Sequence, residues 1–262
     1  MAIAFDAKYN SVTPGTATSL TYSHTCTGSD LILVVGVLNV PPSGSASAPT
    51  GVTYNGDAMT KITDKSSGSG RQKNSLWYLI NPDTGTHDVV VTLGGNNYIG
   101  AISCSYTGVA QSGALDVYEA AADSDNERST PSSPHQITVT TTEDNELLVS
   151  FMGMRDTEAS TKLAASSPLT AREYQDLSDG EVNAFADQAV SSAGNVTATW
   201  TSVYDQWTMT VATFKEVVVT NIKINIGDVF KDAAEVKINI GDTWKAVESV
   251  KINIGDDWKT VF

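Results

Sequence analysis

Three near-copies of one phrase close the chain. NIKINIGD runs from Asn221 to Asp228, VKINIGD from Val236 to Asp242, and VKINIGD again from Val250 to Asp256. Their lysines, Lys223, Lys237 and Lys251, recur every 14 residues. An aromatic and a lysine follow each phrase: Phe230-Lys231, Trp244-Lys245 and Trp258-Lys259. A fixed period this short means one small structural unit repeated as an array. Strand side chains alternate, so Ile224 and Ile226 fall on one face and Lys223 and Asn225 on the other. Gly-Asp supplies the turn, because glycine tolerates positive φ, and the aromatic begins a return strand. Each unit therefore reads as a β-hairpin.

Isolated hairpins are marginal in water, and three of them lie near the size limit for independent folding. The array must close on itself, dock on the rest of the chain, or assemble with copies from other chains. The preferred picture is a three-fold assembly of six strands. Its buried contacts would be Ile224, Ile226, Phe230, Ile238, Ile240, Trp244, Ile252, Ile254 and Trp258. A β-solenoid with stacked Asn225, Asn239 and Asn253 is the alternative.

Residues 1–217 read as a different kind of β structure. Alternating or β-branched runs recur every 10–15 residues, split by Gly, Pro, Asn, Asp and Ser. No stretch of eleven or more residues carries a helical stripe, and only 156–165 has some helical propensity. A fainter repeat lies within. Ser19 to Val35 and Gln136 to Ser150 share a strand, polar turn and apolar strand. Leu76 to Tyr106 is matched by Ala184 to Phe214. The expected fold is all-β: a jelly-roll-like β-sandwich of two related halves over 1–217, then a small β-hairpin repeat domain over 218–262. Ala120 to Pro134 joins the halves as a long loop. Pro41 to Pro49 and Ser66 to Gly70 are further loop tips, where binding residues tend to sit. Gly94 to Asn97 reads as a turn between two strands.

The formal charge of −14 is unevenly spread. Residues 218–262 hold six lysines and seven acids, whereas 1–217 hold ten basic residues and 23 acids. No phosphate-neutralising surface is present, which argues against nucleic acid as a partner. No secretory signal is visible at the start, and no apolar run approaches the length of a membrane helix. These features fit synthesis in the cytoplasm without membrane insertion. Cys26 and Cys104 read as buried free thiols, with a single bridge as the other option.

Chemistry is sparse. His24, His87 and His135 lie in no metal-ligand spacing. His24 and Cys26 share one side of a strand, a pairing that reads as packing. Asp123-x-Asp125-x-Glu127 begins like a calcium loop but lacks the later Gly and Glu. No nucleophile elbow, phosphate loop or dinucleotide fingerprint occurs, so no enzyme and no cofactor is expected. Among the aromatics, Tyr204 and Trp207 sit at a turn and are the candidates for ligand contact; the others read as core.

Several stretches carry a family resemblance. These are Ala2 to Ala7, Thr18 to Ser29, Leu33 to Val37 and Gly51 to Thr60, continuing through Trp77 to Leu79, Thr138 to Thr142 and Glu146 to Val149. Together they resemble β-sandwich domains of tailed-phage virion proteins and of some bacterial surface proteins. The KINIGDxWK phrase is similar to short repeats that close phage structural proteins. The resemblance implies a jelly-roll-like virion building block, commonly trimeric. It would serve as a head decoration, fibre or tail appendage, with other virion proteins and a host surface glycan as partners. A carbohydrate-binding module on a virion or cell surface is the alternative reading.

Overall fold

A computed structural model describes residues 2–123, 134–155, 163–178, 180–202 and 206–218, together with the backbone of six short strands between 222 and 260. The chain divides into two compact units, Met1–Val217 and Val218–Phe262. Every regular element described is a β-strand, and every strand pairing is antiparallel.

The first half of the larger unit contains β1 (Ala4–Val12), β2 (Ala17–Cys26), β3 (Ile32–Val40), β4 (Gly51–Tyr54) and β5 (Asp57–Ala58). It continues with β6 (Thr60–Ser66), β7 (Lys73–Ile80) and β8 (Gly85–Thr107). The second half contains β9 (Leu115–Ala122), β10 (His135–Thr141), β11 (Glu146–Arg155), β12 (Ala164–Ala165) and β13 (Thr170–Asp176). It ends with β14 (Glu181–Val190), β15 (Gly194–Thr201) and β16 (Trp207–Phe214). The strand order β6-β7-β3-β8-β1 of one large sheet reappears as β13-β14-β11-β16-β9 in the other. Each half adds a smaller sheet, β2-β8-β4-β5 and β10-β15-β12. The first strand of each half pairs with the last, as jelly-roll closure requires.

The relatedness of the halves thus goes further than two sets of strands sharing one sandwich. Each half builds a complete two-sheet sandwich, and the two large sheets face each other. Three apolar layers result. One fills the first sandwich through Leu33, Val35, Trp77, Val91 and Ile99. One fills the second through Leu148, Met152, Ala184, Trp200 and Met209. The third joins the halves through Ile32, Val34, Leu76, Tyr106, Val149, Phe151, Phe185 and Phe214. Period-two alternation sorts these residues. Along β3 the odd positions enter the first sandwich and the even ones the central layer. Along β11 the even positions enter the second sandwich and the odd ones the central layer. Strands buried on both faces read as continuous apolar runs, as Ile32 to Leu38 does.

Two large sheets can approach this closely only where side chains are missing. A Cβ on Gly36 would lie 2.3–2.7 Å from ring atoms of Phe151, and one on Gly153 would lie 2.5 Å from a Leu38 methyl. Each glycine receives a bulky residue from the opposite sheet. Gly94 to Asn97 is no turn between separate strands. β8 runs on through it, pairing with β4 up to Thr92, with β2 up to Thr92 and again at Asn97, and with β3 from Tyr98. The two glycines relieve the backbone where the strand changes sheets. Both cysteines are free and buried, Cys26 in the first sandwich and Cys104 in the central layer.

In the smaller unit each repeat is its own two-stranded sheet: β17 (Ile222–Ile226) with β18 (Val229–Ala233), β19 (Lys237–Ile240) with β20 (Thr243–Ala246), and β21 (Lys251–Ile254) with β22 (Asp257–Thr260). Among the described residues no strand of one repeat pairs with a strand of another.

Candidate interaction surfaces

The larger unit has two unlike ends. At one end lie the C-terminal ends of β1, β3, β6, β9, β11, β13 and β15, and described residues beside them are tied across the halves. Ser178 Oγ donates to Thr13 O at 2.6 Å, and Gln72 Nε2 donates to Gln206 O at 3.3 Å. Behind them the buried Asn74 amide donates to Phe151 O and Thr208 O, and accepts from Thr210 Oγ1. The Pro41–Pro49 and Ser66–Gly70 loops belong to this end, where Ala46 N donates to Gly70 O at 2.8 Å. At the opposite end β1 starts and the chain leaves β16. There Val109 N donates to Asp30 O at 3.0 Å, and Val217 N donates to Gly108 O at 2.8 Å.

One clasp recurs at this second end in both halves. Asp6 accepts the Thr27 N–H at 2.9 Å and also its hydroxyl. Asp116 accepts the Thr142 N–H at 2.7 Å and its hydroxyl at 2.5 Å. Each aspartate thereby closes the corner between its first and second strands. Their further partners differ. Asp116 lies 3.2 Å from Lys215 Nζ; burial alone would raise its pKa, but hydrogen bonds from Thr142, Glu146 and Lys215 together bring it down to about 2. Beside it burial, reinforced by Asp116, pushes the Glu146 carboxyl above its ordinary range.

Asp6 instead receives Ser105 Oγ at 2.7 Å and so anchors a buried chain inside the first sandwich. Ser105 Oγ lies 3.0 Å from His24 Nε2, and Ser103 Oγ lies 2.9 Å from Nδ1. The neutral Nε2–H tautomer satisfies this chain, with Nε2 donating to Ser105. Burial, opposed by Asp6, lowers the His24 pKa from 6.5 to about 4. His24 and Cys26 are therefore packing residues, with Tyr54 against the imidazole. Among the described residues no three His, Cys, Asp or Glu side chains converge as a metal site.

The His24 shift has a measurable consequence. The folded state binds the proton more weakly than the unfolded chain, so the neutral imidazole stabilises the fold fully above pH 6.5. This contribution is lost as pH falls from 6.5 towards 4, about 3 kcal/mol in all. Urea unfolding of wild type and His24→Gln across that range should show a steeper loss in wild type. Parallel curves would refute the assignment.

The residues expected to carry function fall in two places. Trp207 opens β16 opposite Met154 and is half-buried. Its ring lies 4.8 Å from that of His135, whose Nε2 is 2.7 Å from Ser202 Oγ. Trp207 therefore packs into the wall of the second sandwich at the loop end, where its buried indole N–H has no hydrogen-bond partner among the described residues. Tyr204, Asp125, Glu127 and residues 156–162 lie outside the described residues. In the repeats, Ile224 pairs with Lys231, Ile226 with Val229, and Phe230 with Asn225. Ile238 pairs with Lys245, Ile240 with Thr243, and Trp244 with Asn239. Ile252 pairs with Lys259, Ile254 with Asp257, and Trp258 with Asn253. Directly paired residues share a face. This register places the isoleucine positions of each hairpin on one face and the aromatic position with asparagine on the other.

A corner cavity at the end where β1 starts escaped the sequence reading, because its walls come from segments nearly two hundred residues apart. It measures about 320 Å³ and is lined by Ala2, Ile3, Leu147, Val190, Ser191 and Glu216, among others. Comparison with known protein families, curated proteins and solved structures returns no match.

Proposed function

We propose that this protein is a structural component of a bacteriophage virion. The sandwich pair would be the displayed body, and the C-terminal hairpins the element that assembles copies, as a homotrimer, on other virion proteins. The virion setting rests on the resemblance of residues 2–217 and of the KINIGDxWK phrase.

The observation that carries the assembly role is the isolation of the hairpins. Among the described residues each of the three repeats pairs only within itself, and a lone two-stranded hairpin is marginally stable in water. The register gives each hairpin isoleucine positions on one face and aromatic positions on the other, so apolar positions occur on both faces. Other chains can cover those faces. The larger unit has no such need, because three closed apolar layers hold it.

The test is deletion of residues 218–262. The full chain of 27.7 kDa is expected to scatter light as a trimer. The truncated protein should be a monomer with strand-rich circular dichroism and cooperative unfolding. A truncated protein that remains trimeric, or a full chain that stays monomeric at all concentrations, would overturn this reading.

A further inference from the structure

The two halves share a strand order but differ at one corner. In the first half, the stretch after β8 folds over the corner formed by the start of β3 and the end of β7. Val109 sits there with no exposure, its N–H donating to Asp30 O at 3.0 Å. Gln111 Nε2 holds the neighbouring Leu31 O at 3.4 Å. The equivalent corner of the second half is formed by the start of β11 and the end of β14, and it is the site of the 320 Å³ cavity. Asn145 there has φ of 59°, matching the 51° of Asp30, so the backbone enters the strand the same way.

The stretch that would fill this corner by analogy follows β16. Tyr106 and Phe214 hold equivalent places, paired with Phe5 and Leu115. Counting onward, Val217 corresponds to Val109. Yet Val217 gives its N–H to Gly108 O, and Glu216 bridges Val109. The chain's own segment is thereby committed to the first half, and Val218 is left 83% exposed. Among the described residues nothing fills this socket, and Val218 is an exposed valine of the kind that fills its counterpart.

We infer that the corner lined by Ile3, Asn145, Leu147, Val190 and Ser191 is the docking socket for Val218 of a second copy of this chain. The incoming valine would take the role of Val109, with its N–H donating to Asn145 O. The inference rests on the assembly reading above and deepens it, adding a contact outside the repeats. One buried valine makes a weak site, worth about tenfold in association. Linkage to the hairpins would raise its effective concentration.

The test uses two full-length variants, Ser191→Cys and Val218→Cys, each changed at an exposed position and mixed under mild oxidation. The native thiols are buried and do not compete. The expected product is a disulfide-linked heterodimer of the two variants on a non-reducing gel. Val218→Asp should weaken self-association about tenfold without changing the unfolding curve. An intrachain disulfide in the double variant, with no heterodimer in the mixture, would overturn the inference, since the chain would then fill its own socket. Assembled protein in which both thiols stay free would overturn it while leaving the assembly reading intact. A protein monomeric at every concentration would overturn both.

Discussion

Replacing Arg172 with methionine is expected to destabilise the Met1–Val217 unit by about 3–5 kcal/mol, the range for breaking a buried ion pair from one side. Arg172 meets Asp187 in a fork, Nε to Oδ2 at 2.6 Å and Nη2 to Oδ1 at 2.8 Å. Asp187 is 3% exposed and also accepts the Tyr106 hydroxyl at 2.6 Å. Arg172 further covers the Phe5 ring at 4.2 Å. Methionine would leave a buried carboxylate with one neutral donor. The counterpart in the first half shows how the site could do without charge. Ile62 and Arg172 both sit where the register of an edge strand shifts, in β6 and β13. Around Ile62 the layer is apolar, with Tyr78 packed 5.7 Å from Phe214. The triple variant Arg172→Met/Asp187→Leu/Tyr106→Phe should therefore recover most of the loss, because an apolar replacement of a whole buried pair is often neutral. Urea unfolding decides it. A triple variant no more stable than Arg172→Met would mean the charged cluster contributes more than its desolvation costs.

The second large effect is expected at Gly36. An added methyl group at a strand glycine usually helps, by roughly 0.5–1 kcal/mol. At Gly36 the new carbon would lie 2.3 Å from the Phe151 ring, with both residues buried. β3 is held between β7 and β8 and cannot retreat. Gly36→Ala should cost about 3 kcal/mol, at the upper end for overpacking a core. Phe151→Leu by itself loses packing, but it makes room for the methyl group. The double variant should be less destabilised than the sum of the single changes by more than about 1 kcal/mol, the coupling of residues in contact. Additive losses would mean that the sheets separate readily at this point.

Much of the strand pattern is legible in the residues. Ser19 to Cys26, Gln136 to Thr141 and Trp207 to Phe214 alternate plainly, and each is a strand within a residue or two. Alternation says when a side chain is buried but not against what. β3 and β11 are apolar at nearly every position, so their sequence shows burial on two faces without separating a sandwich interior from an interface between sandwiches. Gly94-Gly95-Asn96-Asn97 resembles a hairpin turn because turn chemistry and sheet-switching both use glycine. Trp207, read as a ligand-contact candidate at a turn, is half-buried beside His135. Residues whose importance arises from pairing at a distance, such as Arg172 with Asp187 or Asp6 with Thr27, left no local signal.

The sequence by itself determined the all-β class, the break near residue 217, the hairpin period and the pattern of the duplication, but it placed the join at Ala120 to Pro134, whereas β9 (Leu115–Ala122) already belongs to the second half. Each of these rests on local rules: a side-chain period of two, turn chemistry, and repetition along the chain. Only the tertiary structure decided that each half closes its own sandwich, and that Gly36 and Gly153 receive Phe151 and Leu38 from the opposite sheet. It also decided that one corner is filled by Val109 while no described residue fills its counterpart. Those outcomes depend on the fit between surfaces roughly a hundred residues apart in the chain. Packing of that kind is settled by shape and by which polar groups find partners, and neither is encoded in a local pattern.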